Sequence, residues 1–175
     1  ANIDTDQLIP ARFMSAPRSQ GYGEFLLHDM RRDGDGALLA DFPLYRHADA
    51  SILVTGRNFG SGSSREAAVY ALVDAGIKVV VAPGFGDIFA GNAVNNGLLP
   101  AMVSPADSER LIEALSGEQA TAEVDLETGR LTLGGIEVAF ALDEIWRTKL
   151  MSVWDDIDLT RQHAAQIARF RADHA

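Results

Sequence analysis

From residue 50 onward the apolar positions alternate between short unbroken runs and helical spacings. "ASILVTG" (50–56) is a run of strand length between turn residues. "IKVVVAP" (77–83) is continuous and β-branched, as in a strand buried on both faces. Between them, Arg65 to Ala75 contains no Gly or Pro and carries Ala68, Leu72 and Ala75 at helical spacing. Gly76 is placed to end that helix. "GDIFAGNAVNNG" (86–97) predicts a second helix closed by Gly97, and "LLPAMV" (98–103) a third strand. "SPADSERLIEALSG" (104–117) predicts a helix with Ser104 as N-cap and Pro105 in its first turn. Strands alternating with helices over 50–117 imply a parallel α/β core.

Beyond that core the period changes. "TAEVDLETGRLTLGGIEVAFAL" (121–142) alternates polar and apolar residues across turns at Glu127–Gly129 and Gly134–Gly135, which predicts an antiparallel β-meander. Residues 1–20, with Pro10 and Pro17, read as irregular, and 21–48 as loop-rich, with "RRDGDG" a solvated turn. The stretch from Asp158 to Ala175 is amphipathic, with Ala164, Ile167, Ala168 and Phe170 toward one side. No repeat or linker interrupts the chain, so a single domain over 1–175 is expected.

Composition narrows the function. With 47% hydrophobic residues in 175, a packed core is expected rather than disorder. No apolar run is long enough for a membrane span, and the opening "ANIDTDQLIP" lacks signal-peptide character. The absence of a starting methionine suggests processing or cutting before residue 1. A net charge of −10 argues against nucleic-acid binding, which needs clustered Lys and Arg. There is no cysteine, and the four histidines are scattered. The chain therefore supplies no thiolate, and a metal site of its own is not expected.

One stretch carries candidate chemistry: "FGSGSSREAAVYAL" (59–72), small and polar before an evident helix. A P-loop would need a lysine here, a dinucleotide fingerprint would need glycine at Arg65, and a hydrolase elbow would need glycines flanking the serine. All three patterns fail. Gly60 and Gly62 permit positive φ and close backbone approach. Helix-start N–H groups near Ser63 to Glu66 and the Arg65 fork would favour a small carboxylate. The spacing fits equally well a serine N-cap beside a surface arginine. A serine used as a base would need its alkoxide stabilised by donors and cations.

"NIDTDQLIPARF" (2–13), "GRNFGSGSSREAAVYALVDAGIKVVVAPGFGDIFAGNAVNNGLLP" (56–100) and "DDIDLTRQHAAQIARF" (155–170) resemble the small-subunit family of 3-isopropylmalate dehydratases, in the aconitase superfamily. The resemblance covers nearly the whole chain. It implies a swivelling β/β/α domain that closes over a separate large subunit carrying a [4Fe–4S] cluster. It further implies a cytoplasmic hydro-lyase of leucine biosynthesis. That enzyme removes water from 2-isopropylmalate and adds it back to give 3-isopropylmalate, with the cluster's open iron as Lewis acid.

By motif position, Ser63 would be the alkoxide base, Asp6 an active-site aspartate, Arg65 the carboxylate grip and Ser64 a donor beside it. Thr5 neighbours Asp6, and the alternative for Asp4 and Asp6 is a capping turn. Asp87 and Asn92 would cap and hold their helix. The loop Met14–Gly21 would tune substrate choice, with Met14, Ala16 and Pro17 apolar and Arg18 a substrate contact. Related methylmalate/citraconate or dimethylmalate dehydratases, and a non-catalytic carboxylate-binding module, are the alternatives. Departures from the family pattern are Ala67 where histidine is frequent, a missing strand before "NIDTD", and a short segment after "MRRDGDG".

Overall fold

The structure is a computed structural model that describes residues 1–116, 118–152, 157, 160–161 and 163–173. Two short helices, α1 (Thr5–Leu8) and α2 (Pro43–Arg46), precede the first sheet. That sheet is parallel, in the order β1 (Ile52–Val54), β2 (Val79–Ala82), β3 (Leu99–Met102). Helix α3 (Glu66–Asp74) joins β1 to β2, α4 (Asp87–Asn95) joins β2 to β3, and α5 (Pro105–Leu115) follows. The second sheet is the antiparallel meander β4 (Ala122–Asp125), β5 (Arg130–Leu133), β6 (Ile136–Ala139). Helices α6 (Glu144–Ser152) and α7 (Ala164–Asp173) complete the described chain.

The central strand explains the layering. All four β2 residues are buried, and alternate ones feed different cores. Val80 and Ala82 pack with Leu8, Phe59, Ala68, Leu72 and Phe89 on the side of α1, α3 and α4. Val79 and Val81 pack with Ala101, Leu111, Leu131 and Val138 on the side of α5 and the meander. The domain is thus three layers: helices, parallel sheet, and a meander-plus-helix layer. The Ala141 N–H donates to the Met102 carbonyl at 2.7 Å and stitches the end of the meander to β3.

The α/β alternation and the meander stand where the residue pattern predicts them. Ser104 caps α5 by accepting the Asp107 N–H at 3.1 Å. Residues 1–20 are less irregular than expected. Asp4 accepts the Gln7 N–H at 2.7 Å, and the Gln7 side chain accepts the Asp4 N–H at 2.9 Å, a reciprocal cap that nucleates α1. Helix α6 is seated on α4 by Lys149, a buried lysine whose ammonium donates to Asn95 at 2.7 Å. The amphipathic tail is helical over α7, with Ile167 and Phe170 exposed; Asp158 lies outside the described residues. Among the described residues no helix is long and apolar enough to cross a membrane.

Leu111 is fully buried where α5 meets the meander. Leu111→Ala is expected to lower unfolding free energy by about 2–5 kcal/mol. Urea denaturation should show a lower midpoint with an unchanged slope.

Candidate active site

The carboxyl ends of β1 and β2 run into two loops that pair with each other. The Phe59 N–H donates to the Gly84 carbonyl at 3.0 Å, and the Gly86 N–H donates to the Phe59 carbonyl at 2.9 Å. The chain's first residues lie along the other side of the same segment. There Asn2 N–H reaches the Arg57 carbonyl (2.7 Å), Gly60 N–H the Ile3 carbonyl (2.7 Å), and Thr5 N–H the Ser61 carbonyl (2.9 Å). Residues 57–61 are therefore the middle of three main-chain segments bridged side by side at the strand ends. Ligand crevices of open α/β sheets form in that position.

Glycines make this approach possible. At Gly60, φ is +68°, and an added Cβ would lie 2.2 Å from the Phe89 ring. At Gly86 an added Cβ would lie 2.5 Å from the Gly60 carbonyl oxygen. Phe89 in turn meets Phe59 edge-on, ring centroids 5.4 Å apart. The "FGDIF" segment is thus the floor of the serine loop, a role the sequence reading did not give it.

Above this floor the chain turns at Gly62, with φ +101°, and presents Ser63 and Ser64 to solvent. The N-cap position of α3 belongs to Arg65, with no side-chain cap bond. Neither serine caps the helix, and both are exposed. The Ser63 carbonyl accepts the Arg65 N–H at 2.8 Å and the Thr5 hydroxyl at 2.9 Å. The Arg65 N–H is thereby turned inward, away from the set of outward donors expected for it. The Arg65 guanidinium is ion-paired through Nη1 with Asp6 Oδ1. A guanidinium has five donors in a fixed fork, and Asp6 engages one of its arms. Ser63, Ser64, Arg65 and Asp6 are brought together, while Asp4 serves as the α1 cap.

Two other expected site residues are held apart from this cluster. Thr5 is 1% exposed and lies beneath the loop, with its hydroxyl donating to the Ser63 carbonyl. Arg18 binds Asp74 through both Nη atoms, at 2.5 and 2.9 Å, and lies over the Tyr70 ring at 4.3 Å. Asp74 is the last residue of α3 and Arg65 precedes its first, so about 13 Å of helix separates the two arginines. Asp74 also accepts the Tyr22 N–H at 2.7 Å, and the Tyr22 hydroxyl donates to the Ala16 carbonyl at 2.9 Å. The loop Met14–Gly21 is therefore clamped at the far end of α3. At its start, Arg12 pairs with Asp29, and that guanidinium, with His28 beside it, holds the Asp29 carboxyl well below the usual range.

Asp87 occupies the first position of α4 rather than its cap, where its charge suits the helix start. The Asn92 carbonyl accepts Asn96 Nδ2 at 2.9 Å, and the same amide donates to Glu66 Oε1 at 3.0 Å, tying α4 to the start of α3. Burial pushes the Tyr70 hydroxyl above its ordinary range, helped by its hydrogen bond to Glu66. Ala67 is packed into the helix-side core. Cavities of about 510, 390 and 690 Å³ lie elsewhere, and none of the three is lined by residues 57–66. The serine loop lies outside all three. Among the described residues no cluster of His, Asp or Glu is arranged for a metal ion.

Gly60→Ala should destabilise by both backbone strain and the clash with Phe89. Gly36→Ala, at φ +82° with nothing within 4 Å, carries strain alone. Calorimetric melting should show a loss of at least about 3 °C more for the former, roughly 1 kcal/mol in a domain of this size.

Residues 2–106 match the family model of the aconitase C-terminal domain. The 3-isopropylmalate dehydratase small subunit of Shouchella clausii is 43% identical over 97% of this chain and 87% of its own length. That of Caulobacter vibrioides is 40% identical over the whole chain and 88% of its own. The crystal structure of 3-isopropylmalate dehydratase from Methanocaldococcus jannaschii superposes with a TM-score of 0.68. It covers 95% of this chain and 91% of that one at 23% identity, a likeness of fold. The match over most of the chain and the two near-full-length relatives agree with the three-layer fold and its glycine-lined loop: the chain belongs to the aconitase C-terminal domain family, among the small subunits of aconitase-type hydro-lyases.

Proposed function

We propose that this chain is the small subunit of a heteromeric dehydratase that interconverts 2-isopropylmalate and 3-isopropylmalate in leucine biosynthesis. It would act with a large subunit that carries the [4Fe–4S] cluster. The names of the relatives support the substrate. The observation that carries the reading is the exposed Ser63–Ser64 pair, free of any capping role, beside the Arg65 guanidinium. This chain's own residues do not fit a cluster, because it has no cysteine. The Lewis-acid chemistry would come from the partner.

The roles are those the family resemblance implies, supported by the exposure of Ser63 and Ser64 and by the Arg65 guanidinium close by. Arg65 would grip a substrate carboxylate, a charge-assisted pair well suited to its planar fork. Asp6 holds that fork while no substrate is bound, and the incoming carboxylate would compete with it. Ser63 Oγ, as alkoxide, would take the proton from carbon as the carbon–oxygen bond breaks and the double bond forms. It would return the proton when water adds back. The alkoxide would be stabilised by the Arg65 charge and by main-chain N–H groups at the start of α3. A loop on one domain's surface cannot exclude water by itself, which supports a second subunit closing over it.

Mixing the chain with the large subunit of such an enzyme should give isomerase activity that neither has alone. Ser63→Ala should lower kcat by about 10²–10⁴-fold while complex formation survives, as for loss of a general base. Normal turnover by that variant would remove Ser63 from the reaction. Arg65→Lys should raise KM for the diacid by about tenfold, the loss of one charge-assisted bond of about 1.5 kcal/mol. Citraconate or dimethylmaleate outcompeting isopropylmalate as substrate would reassign the acid. Tight diacid binding by the isolated chain, read by calorimetry, would favour a non-catalytic carboxylate-binding module instead.

A further inference from the structure

Thr5 is an anomaly of the site: a residue in the middle of the "DTDQ" block whose hydroxyl is turned inward. Its side chain is buried under the serine turn. Its N–H donates to the Ser61 carbonyl, and its hydroxyl donates to the Ser63 carbonyl, both at 2.9 Å. The Ser63 carbonyl also accepts the Arg65 N–H at 2.8 Å. A carbonyl oxygen has two lone pairs, and here both are engaged from inside the protein.

That has a geometric consequence for the next peptide unit. The unit linking Ser63 to Ser64 is planar and trans, so its C=O and N–H point in opposite directions. Drawing the Ser63 carbonyl down toward Thr5 turns the Ser64 N–H up toward the exposed hydroxyls. Among the described residues no main-chain acceptor takes that N–H. A threonine side chain is stiff at χ1, so the donor has little freedom to aim elsewhere.

We propose that Thr5 is a positioning residue: its buried hydroxyl sets the Ser63–Ser64 peptide plane, aiming the Ser64 N–H and the Ser63 side chain at the substrate. This rests on the reading of Ser63 as the base. The role needs the hydroxyl and not merely the volume, which separates it from a packing role.

The test compares Thr5→Val and Thr5→Ser in the reconstituted two-subunit enzyme with isopropylmalate. Thr5→Val keeps the shape and removes the donor. Its kcat should fall about 10–100-fold, as for a small misplacement of a reacting group, while KM stays within about threefold because the Arg65 guanidinium keeps its own partner, Asp6. Thr5→Ser should restore kcat to within about threefold of the parent. Unchanged kcat in Thr5→Val, or equal damage in both variants, overturns the proposal. Thr5→Ala replaces Thr5→Val if the latter does not assemble, and failure of both to assemble assigns Thr5 to folding and also overturns it. A wild-type pair inactive on every diacid faults the reading of the reaction. The Thr5 claim is then decided on the full chain alone: the Ser63 carbonyl ¹³C resonance should shift in Thr5→Val and not in Thr5→Ser, and an unmoved resonance contradicts it.

Discussion

The functional loop depends on one close approach, that of two glycine-bearing segments beyond the carboxyl ends of β1 and β2. Gly60 lies against the face of Phe89, and Gly86 lies against the Gly60 carbonyl, at separations no Cβ could share. Main-chain bonds between Phe59, Gly84 and Gly86 lock the contact. Because β2 is buried on both faces, this floor is continuous with the two cores of the domain. Rigidity at the base is what lets the tip, Gly62 to Arg65, stay exposed without being shapeless.

On that base the groups divide by depth. Thr5 and the Ser63 carbonyl face inward, the Arg65 side chain is partly buried, and Ser63, Ser64 and Asp6 are exposed. The outward set has the chemistry to hold a carboxylate and move a proton, yet it has one wall only. A hydroxyl in open water is a poor base, since water competes for every donor that would stabilise its alkoxide. The arrangement fits the proposal that a second subunit closes over it. The absence of any cysteine in the chain fits a division of labour in which thiolate ligands belong to another subunit.

Much of the scaffold was legible because its signals are local. The continuous "VVVA" run, the Ser104–Pro105 start of α5 and the glycine turns of the meander each fix their own element. The reciprocal cap of α1 was also written locally, in Asp4 and Gln7, but four residues between a proline and the chain start read as irregular. Of the site, the serine–arginine turn was legible through the family motif, whereas the Arg65–Asp6 ion pair, between residues 59 positions apart, was not. What was not legible depends on partners far away in sequence. Arg18 is drawn off by Asp74, 56 positions on, and Thr5 is buried by a loop 58 positions on. Spacing within a motif carries no information about either, so neither the burial of Thr5 nor the Arg18–Asp74 pair could be read from the motif.

The most direct measurement is a crystal structure of the two-subunit complex with a bound isopropylmalate-type diacid. The account predicts a substrate carboxylate in the Arg65 fork, the Asp6 contact rearranged to admit it, and Ser63 Oγ within about 3.5 Å of the carbon that loses its proton. A diacid bound away from residues 62–65, or a serine loop still open to solvent in the closed complex, would contradict it.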